Sequence, residues 1–211
     1  MFRRDLVTIR CFQSLIKAYS LISIALKDPW VLKPCRPCRL GATLPASLLV
    51  SNLTVIFVCM GNICRSPMAA SVTRSELERV GLTHVRVSSA GTGGWHVGDP
   101  ADRRARAALT RRGYADDHAA QQFEPAWFNE YDLVVAMDRD NQRDLRRLAP
   151  TRAHADTVRL IREFDPDAES VDVPDPYYGA STDFDLVLDQ LEPACRGLVT
   201  HLQGATSVGP S

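Results

Sequence analysis

Cys59 and Arg65 stand six positions apart in Cys59-Met60-Gly61-Asn62-Ile63-Cys64-Arg65-Ser66-Pro67, a C-x5-R spacing closed by a hydroxyl and a proline. Five residues between thiol and guanidinium let the backbone curl so that successive N–H groups face one tetrahedral anion. Ser66 as N-cap and Pro67 at the first helical position would open a helix there, whose N-terminus adds partial positive charge. Arg65 carries a planar fork that grips two phosphate oxygens, which a lysine ammonium cannot match. Gly61 is expected to adopt a conformation closed to other residues, and Asn62 to tolerate the left-handed region. An ordinary cysteine is only a few per cent thiolate at neutral pH. Inward amides, Arg65 and the helix terminus favour the anion at Cys59, and the Ser66 hydroxyl can donate to its sulfur. The chemistry within reach is attack of a thiolate on a bound phosphorus.

Such an attack needs a proton for the departing oxygen. Asp175, in Val173-Pro174-Asp175-Pro176-Tyr177-Tyr178-Gly179, is the candidate general acid. Its loop is stiffened by two prolines, and its aromatic neighbours can desolvate the carboxyl. Neither signal is strong alone. The chain holds six cysteines and many arginines, and an acid flanked by proline is commonly a plain turn.

The elements that must position these residues can be read from periodicity and punctuation. An apolar run over Leu53 to Cys59 predicts a buried strand that delivers Cys59 onto the loop. Met68, Ala69, Val72, Leu77 and Val80 predict the following helix, stopped at Gly81. A short strand is expected over Val85 to Ala90, then a helix opened by Asp99-Pro100 and stopped at Gly113. Glu124-Pro125 opens a helical turn holding Trp127 and Phe128, which are expected in the core. A strand over Tyr131 to Met137 leads to a helix capped by Asp138 and ended by Pro150. A fourth strand is expected over Val158 to Ile161, and a last helix over Phe184 to about Leu202. Strands alternating with helices predict an α/β three-layer sandwich, a four-stranded parallel sheet with helices on both faces. Cys59 then lies at the carboxyl end of a strand, where such sheets bind ligands.

The neutral net charge hides a split. Residues 1–50 carry eight Lys/Arg, including all three lysines, against Asp5 and Asp28; residues 51–211 carry 17 arginines against 23 acids. The expected organisation is therefore an N-terminal extension over residues 1–50, poorly ordered or a misassigned start. A catalytic domain over residues 51–203 and a flexible tail over residues 204–211 complete it. The cysteines are too few and scattered for a secreted disulfide framework, so a reducing cytoplasm is expected, with export to a host left open. Cys35-Arg36-Pro37-Cys38 lacks the second pair of ligands that a structural zinc site needs. No stretch of 18 apolar residues is present, so no stable membrane insertion is expected. Arg103, Arg104, Arg106, Arg111 and Arg112 are read as the solvated face of a helix rather than an anion funnel, and Cys195 as core.

The loop Cys59 to Pro67 together with Asp175-Pro176-Tyr177-Tyr178 resembles the low-molecular-weight protein tyrosine phosphatases. Ser89-Ala90-Gly91-Thr92 and Gly94-Trp95-His96-Val97-Gly98 look like bacterial, particularly actinobacterial, members, and the resemblance covers about residues 52–203. It implies a phosphocysteine on Cys59, transition-state stabilisation by Arg65 and the loop amides, and general acid then base catalysis by Asp175. It implies no metal and no other cofactor. The partners it implies are phosphotyrosine-containing proteins, not nucleic acid. By the same resemblance Met60, Gly61, Asn62, Ile63, Cys64 and Ser66 touch the substrate, and Trp95, His96, Tyr177 and Tyr178 wall the entrance. Asn62 and Ser66 also hold the loop, together with His118. Relatives can join the equivalents of Cys59 and Cys64 in a protective disulfide, although Cys64 equally suits a small buried residue. They also suggest phosphorylation at Tyr177 or Tyr178.

Rivals share the scaffold. Thioredoxin-coupled arsenate reductases need further downstream cysteines, and after Cys64 only Cys195 remains. Protein arginine phosphatases carry threonine where Ile63 stands and lack the tyrosine pair. A catalytically inactive phosphate-binding module is the non-enzyme alternative.

Overall fold

The computed structural model describes residues 52–207, with side chains to Gly204. The expectations for residues 1–50, including Cys35 and Cys38, and for the last residues of the tail lie outside the described residues. In chain order the elements are β1 (Leu53–Cys59), α1 (Arg65–Val80), β2 (Val85–Gly91) and α2 (Arg103–Arg111), then a 3₁₀ turn (Pro125–Asn129). There follow β3 (Leu133–Ala136), α3 (Arg139–Leu148), α4 (Arg152–Asp156), β4 (Val158–Leu160), a second 3₁₀ turn (Ile161–Phe164) and α5 (Ser181–Ser207).

The four strands form one parallel sheet in the order β2-β1-β3-β4. β1 is central and covered on both faces, which is why Val55 to Cys59 is an unbroken buried run. Alternation splits it between two cores. Val55 and Phe57 pack with Met68 and Val72 of α1 and with Phe184, Leu188 and Leu191 of α5. Ile56 and Val58 pack with Phe123, Phe128, Val134 and Leu145 on the opposite face. Each such side chain contributes roughly 1.5–3 kcal/mol through burial. The result is the expected α/β sandwich with a four-stranded parallel sheet. Phe128 is in the core as expected, and Trp127 is half-buried against it.

Several boundaries differ from expectation for local reasons. α1 begins at Arg65 with Cys64 as N-cap and no side-chain cap, so Ser66 is not the cap and Pro67 is the third helical residue, not the first. Asp102, not Asp99, caps α2, its side chain accepting from the Arg104 N–H. The one-turn α4, capped by Thr151, is too short to give a periodic signal. α5 runs to Ser207, past the expected end near Leu202 and into the segment expected to fray. Gly197 permits its path: a Cβ there would lie 1.8 Å from the Phe164 carbonyl oxygen.

Candidate active site

β1 ends in Cys59, and the chain turns through Met60 to Cys64 before α1 begins. The turn is moored by backbone bonds to the segment after β2: Thr92 N–H donates to Cys59 O at 2.8 Å, and Gly93 N–H to Met60 O at 2.9 Å. Gly91 makes that approach possible, since a Cβ there would sit 2.7 Å from Met60 O. On the other side Asp102 N–H donates to Ile63 O at 2.7 Å.

The left-handed residue of the loop is Asn62, with φ 56°, and every part of it is held. Its Nδ2 donates to Ser66 Oγ at 2.9 Å and Ser89 Oγ at 3.0 Å, while Oδ1 accepts from Gln121 N–H at 2.9 Å. Its carbonyl oxygen lies 2.6 Å from His118 Nε2, which fixes the ring with its proton on that nitrogen. Gly61 plays a different part from the expected one. Its φ is not positive; instead a Cβ would press on His96 Cδ2 at 3.2 Å.

The Ser66 hydroxyl lies 3.0 Å from Cys59 Sγ and 3.2 Å from Ala90 O. Having accepted from Asn62, it has one hydrogen to give, and a thiolate at Cys59 is the stronger acceptor. That engagement explains why Ser66 does not serve as a cap. Cys59, Cys64 and Cys195 are all free thiols. Burial pushes the thiol pKa of Cys64 far up, and that of Cys195 to about 12, so both stay protonated.

Arg65 is almost fully enclosed, its side chain 3% exposed. Nη1 donates to Asp138 Oδ2 at 2.5 Å and to Val173 O at 3.0 Å, and Nη2 donates to Asp175 Oδ2 at 2.6 Å. Nε is buried with no hydrogen-bond partner. Burial opposes the guanidinium charge, but Cys59, Asp175 and Asp138 outweigh it and raise its pKa above the ordinary arginine value.

These groups meet in a cleft of about 330 Å³ lined by Cys59, Met60, Gly61, Ile63, Cys64, Arg65, Trp95, His96, Asp175, Tyr177 and Tyr178. Trp95 and Tyr178 stand 75% and 97% exposed at its mouth. The Tyr177 and Tyr178 rings meet edge to face at 4.9 Å, and His96 lies 6.5 Å from Tyr177 between centroids. Asn62 and Ser66, expected to touch substrate as well as hold the loop, are not on the wall but fully buried behind it. His118 joins them there.

Sequence reading missed Asp138, which holds Arg65, and Ser89 and Gln121, which hold Asn62. Asp138 was legible only as a cap; its Oδ1 does cap α3 at Asn141 N–H, while Oδ2 holds Arg65. The arginine cluster of α2 is not simply a solvated face. Arg111 pairs with Asp185, Arg112 with Asp189 and Glu192, and Arg106 with Asp116. Three of these four pairs tie α2 and its C-cap Arg112 to α5.

His118 links the loop to pH. Burial is the main cause holding its pKa below the ordinary histidine value of about 6.5, with Arg74 acting in the same direction. The unfolded chain therefore binds this proton more readily, and stability is lost as pH falls below about 6.5 through the depressed folded value. Urea midpoints measured at pH 7.5 and 5.0 should show a smaller acid loss in His118→Gln than in the wild type. An identical loss in both would remove His118 as the cause.

The sequence profile of the low molecular weight phosphotyrosine protein phosphatases matches residues 54–207. A low molecular weight protein-tyrosine-phosphatase of Streptomyces coelicolor is 53% identical over 152 residues, spanning 71% of this chain and 93% of the relative. Low molecular weight protein-tyrosine phosphatase A of Mycobacterium tuberculosis is 48% identical over 149 residues, 69% of this chain and 89% of its own length. Among solved structures, a protein tyrosine phosphatase from Entamoeba histolytica with Hepes in its active site superposes with a TM-score of 0.70 at 35% identity. It covers 72% of this chain and 98% of its own. By sequence, fold and the arrangement of its cleft, this chain belongs to the low molecular weight phosphotyrosine protein phosphatase family.

Proposed function

We propose that this chain hydrolyses phosphotyrosine in proteins through a phosphocysteine on Cys59, with Arg65 holding the phosphoryl group and Asp175 moving the proton. The observation that carries this reading is the guanidinium edge of Arg65. Nε and Nη2 share that edge; Nε has no partner, and Nη2 is held only by Asp175, beside the Cys59 thiol in one cleft. A phosphate can take both N–H groups bidentately. In doing so it frees the Asp175 carboxyl, which then faces an anion instead of a cation and carries a proton toward the leaving oxygen.

Cys59 Sγ, supported by the Ser66 hydroxyl, attacks phosphorus as the P–O bond to the phenol breaks, and Asp175 gives its proton to that oxygen. The loop amides from Met60 to Arg65 and the N-terminus of α1 stabilise the equatorial oxygens. In the second step the Asp175 carboxylate takes a proton from water, the water oxygen attacks phosphorus, and the S–P bond breaks. Inorganic phosphate leaves and the thiolate is restored.

The walls support an aromatic ester. Cys59 is nearly buried, while His96 and Tyr177 line the cleft and Trp95 stands at its mouth, flat apolar surfaces that suit the ring of a phosphotyrosine. A phosphotyrosine peptide should be hydrolysed on the order of 10²-fold faster than its phosphoserine counterpart. Equal rates on the two, or faster turnover of a phosphoarginine peptide, would overturn the assignment. We assign the activity to residues 51–203, so a protein beginning at Ser51 should match the full chain in the same assay. The cytoplasm is the proposed setting, since Cys59 works only as a free thiol. Among the described residues no helix is long and apolar enough to cross a membrane.

A further inference from the structure

We propose that Arg104 is a positioning residue that clamps the loop carrying Asp175 to the phosphate loop, an inference that rests on the phosphatase reading above. Arg104 lies outside the cleft walls, yet its guanidinium holds the acid loop directly and the phosphate loop through Asp102. Nη1 donates to Gly179 O and Nη2 to Tyr177 O, each at 2.9 Å. Its Nε and Nη2 also donate to Asp102 Oδ1 and Oδ2, at 3.0 and 2.9 Å. Asp102 in turn gives its backbone N–H to Ile63 O of the phosphate loop, at 2.7 Å. The guanidinium carbon rests 4.7 Å from the centre of the Phe184 ring at the start of α5.

The clamp reaches Asp175 through a single residue, Tyr177. Tyr177 N–H donates to Asp175 Oδ1 at 3.1 Å, and Tyr177 O accepts from Arg104. Tyr177 is thus held at both ends, once by the acid and once by Arg104. Two loop carbonyls and two carboxylate oxygens are satisfied together, which takes the planar, multidentate fork of arginine rather than a point charge. Side chains this well engaged, with the Arg104 side chain only 25% exposed, are not a solvated face. The consequence is specific to one part of the reaction. Asp175 has to exchange Arg65 for the leaving oxygen, and its reach is set by where residues 175–179 are fixed. Loosening that segment should penalise proton delivery while leaving the phosphate cradle intact.

The test compares Arg104→Lys and Arg104→Gln with wild type on two esters and one inhibitor. Phenyl phosphate has a leaving group that needs the proton; p-nitrophenyl phosphate has one that needs it far less. The expected result is a fall in kcat/KM on phenyl phosphate on the order of 10- to 100-fold. The fall on p-nitrophenyl phosphate should be several times smaller, and inhibition by inorganic phosphate should be unchanged. Lysine should rescue little, because the charge remains but the fork does not. Equal losses on both esters, weakened phosphate inhibition, or full rescue by lysine would each overturn the proposal. If neither variant folds, Asp102→Asn serves, since asparagine keeps the helix cap while weakening the grip on Arg104. It should show the same preference for the easier ester, and a proportionate loss would count against the clamp. A wild-type protein that cleaves neither ester would overturn the phosphatase reading itself, whereas an active wild type with proportionate losses overturns only the role of Arg104.

Discussion

Replacing Cys59 with serine should lower turnover of p-nitrophenyl phosphate by on the order of 10⁴–10⁶-fold while leaving the fold and phosphate binding in place. The size of the effect follows from the site. The Ser66 hydroxyl lies 3.0 Å from Cys59 Sγ and the Arg65 guanidinium lines the same cleft, a setting suited to a sulfur nucleophile. A serine hydroxyl holds its proton far more tightly than a thiol, and this site contains no base placed to remove it. With substrate bound, Asp175 already carries the proton meant for the leaving oxygen, and the nearest hydroxyl oxygen, Ser66 Oγ, already accepts from Asn62 Nδ2. The substitution is small, and the loop is held by Asn62, Gln121 and backbone bonds that do not involve the sulfur. Thermal unfolding and inorganic-phosphate binding should therefore stay close to wild type. Comparable turnover in the two proteins would remove Cys59 as nucleophile, and loss of phosphate binding would mean the loop had collapsed.

Asp175→Asn should cost on the order of 10²–10⁴-fold in kcat/KM on esters with poor leaving groups. The same substitution should tighten binding of inorganic phosphate. These opposite signs come from the one contact that Asp175 makes with Arg65, at 2.6 Å through Nη2. In the free protein that carboxylate occupies half of the guanidinium edge that a phosphate requires. Removing its charge takes a competitor and a like charge away from the anion site, but also removes the proton donor. The remaining anchor of Arg65, through Nη1 to Asp138 and Val173, is untouched. Steady-state kinetics on phenyl phosphate and competitive inhibition by phosphate read the two effects separately. Undiminished turnover of phenyl phosphate would rule out the acid role, and weaker phosphate binding would show that Asp175 supports the anion site instead of competing for it.

Much of this arrangement was legible along the chain because its signals are local. The run Leu53 to Cys59 reads as a buried strand because a central strand covered on both faces needs no alternation. Gly81 ends α1 in the left-handed conformation, with φ 72°, as its position just after an apolar helical pattern predicts. Asp138 caps α3 as expected, through its contact with Asn141 N–H. Where local readings failed, a long-range partner had claimed the side chain. Ser66 has the chemistry of an N-cap, but its hydroxyl is spent on Cys59, Asn62 and Ala90 O. Gly61 was expected to take a conformation closed to other residues and does not, whereas Asn62 does adopt the left-handed region it was expected to tolerate, secured by four separate partners.

The strand, the C-x5-R loop, the helix after it and a proline-bound aspartate far downstream were all present in the order of residues. So was the kind of chemistry, since thiol, arginine and carboxyl have those reactivities in any setting. What could not be read there is which groups meet. Asp138 and Asp175 lie 73 and 110 positions from Arg65, and no spacing rule connects them to it. The parallel sheet brings them together, because it gathers the carboxyl ends of β1 and β3 on one edge and lays the acid loop across them. The same gathering turns Arg104 from one arginine among several on a helix into a link between two loops.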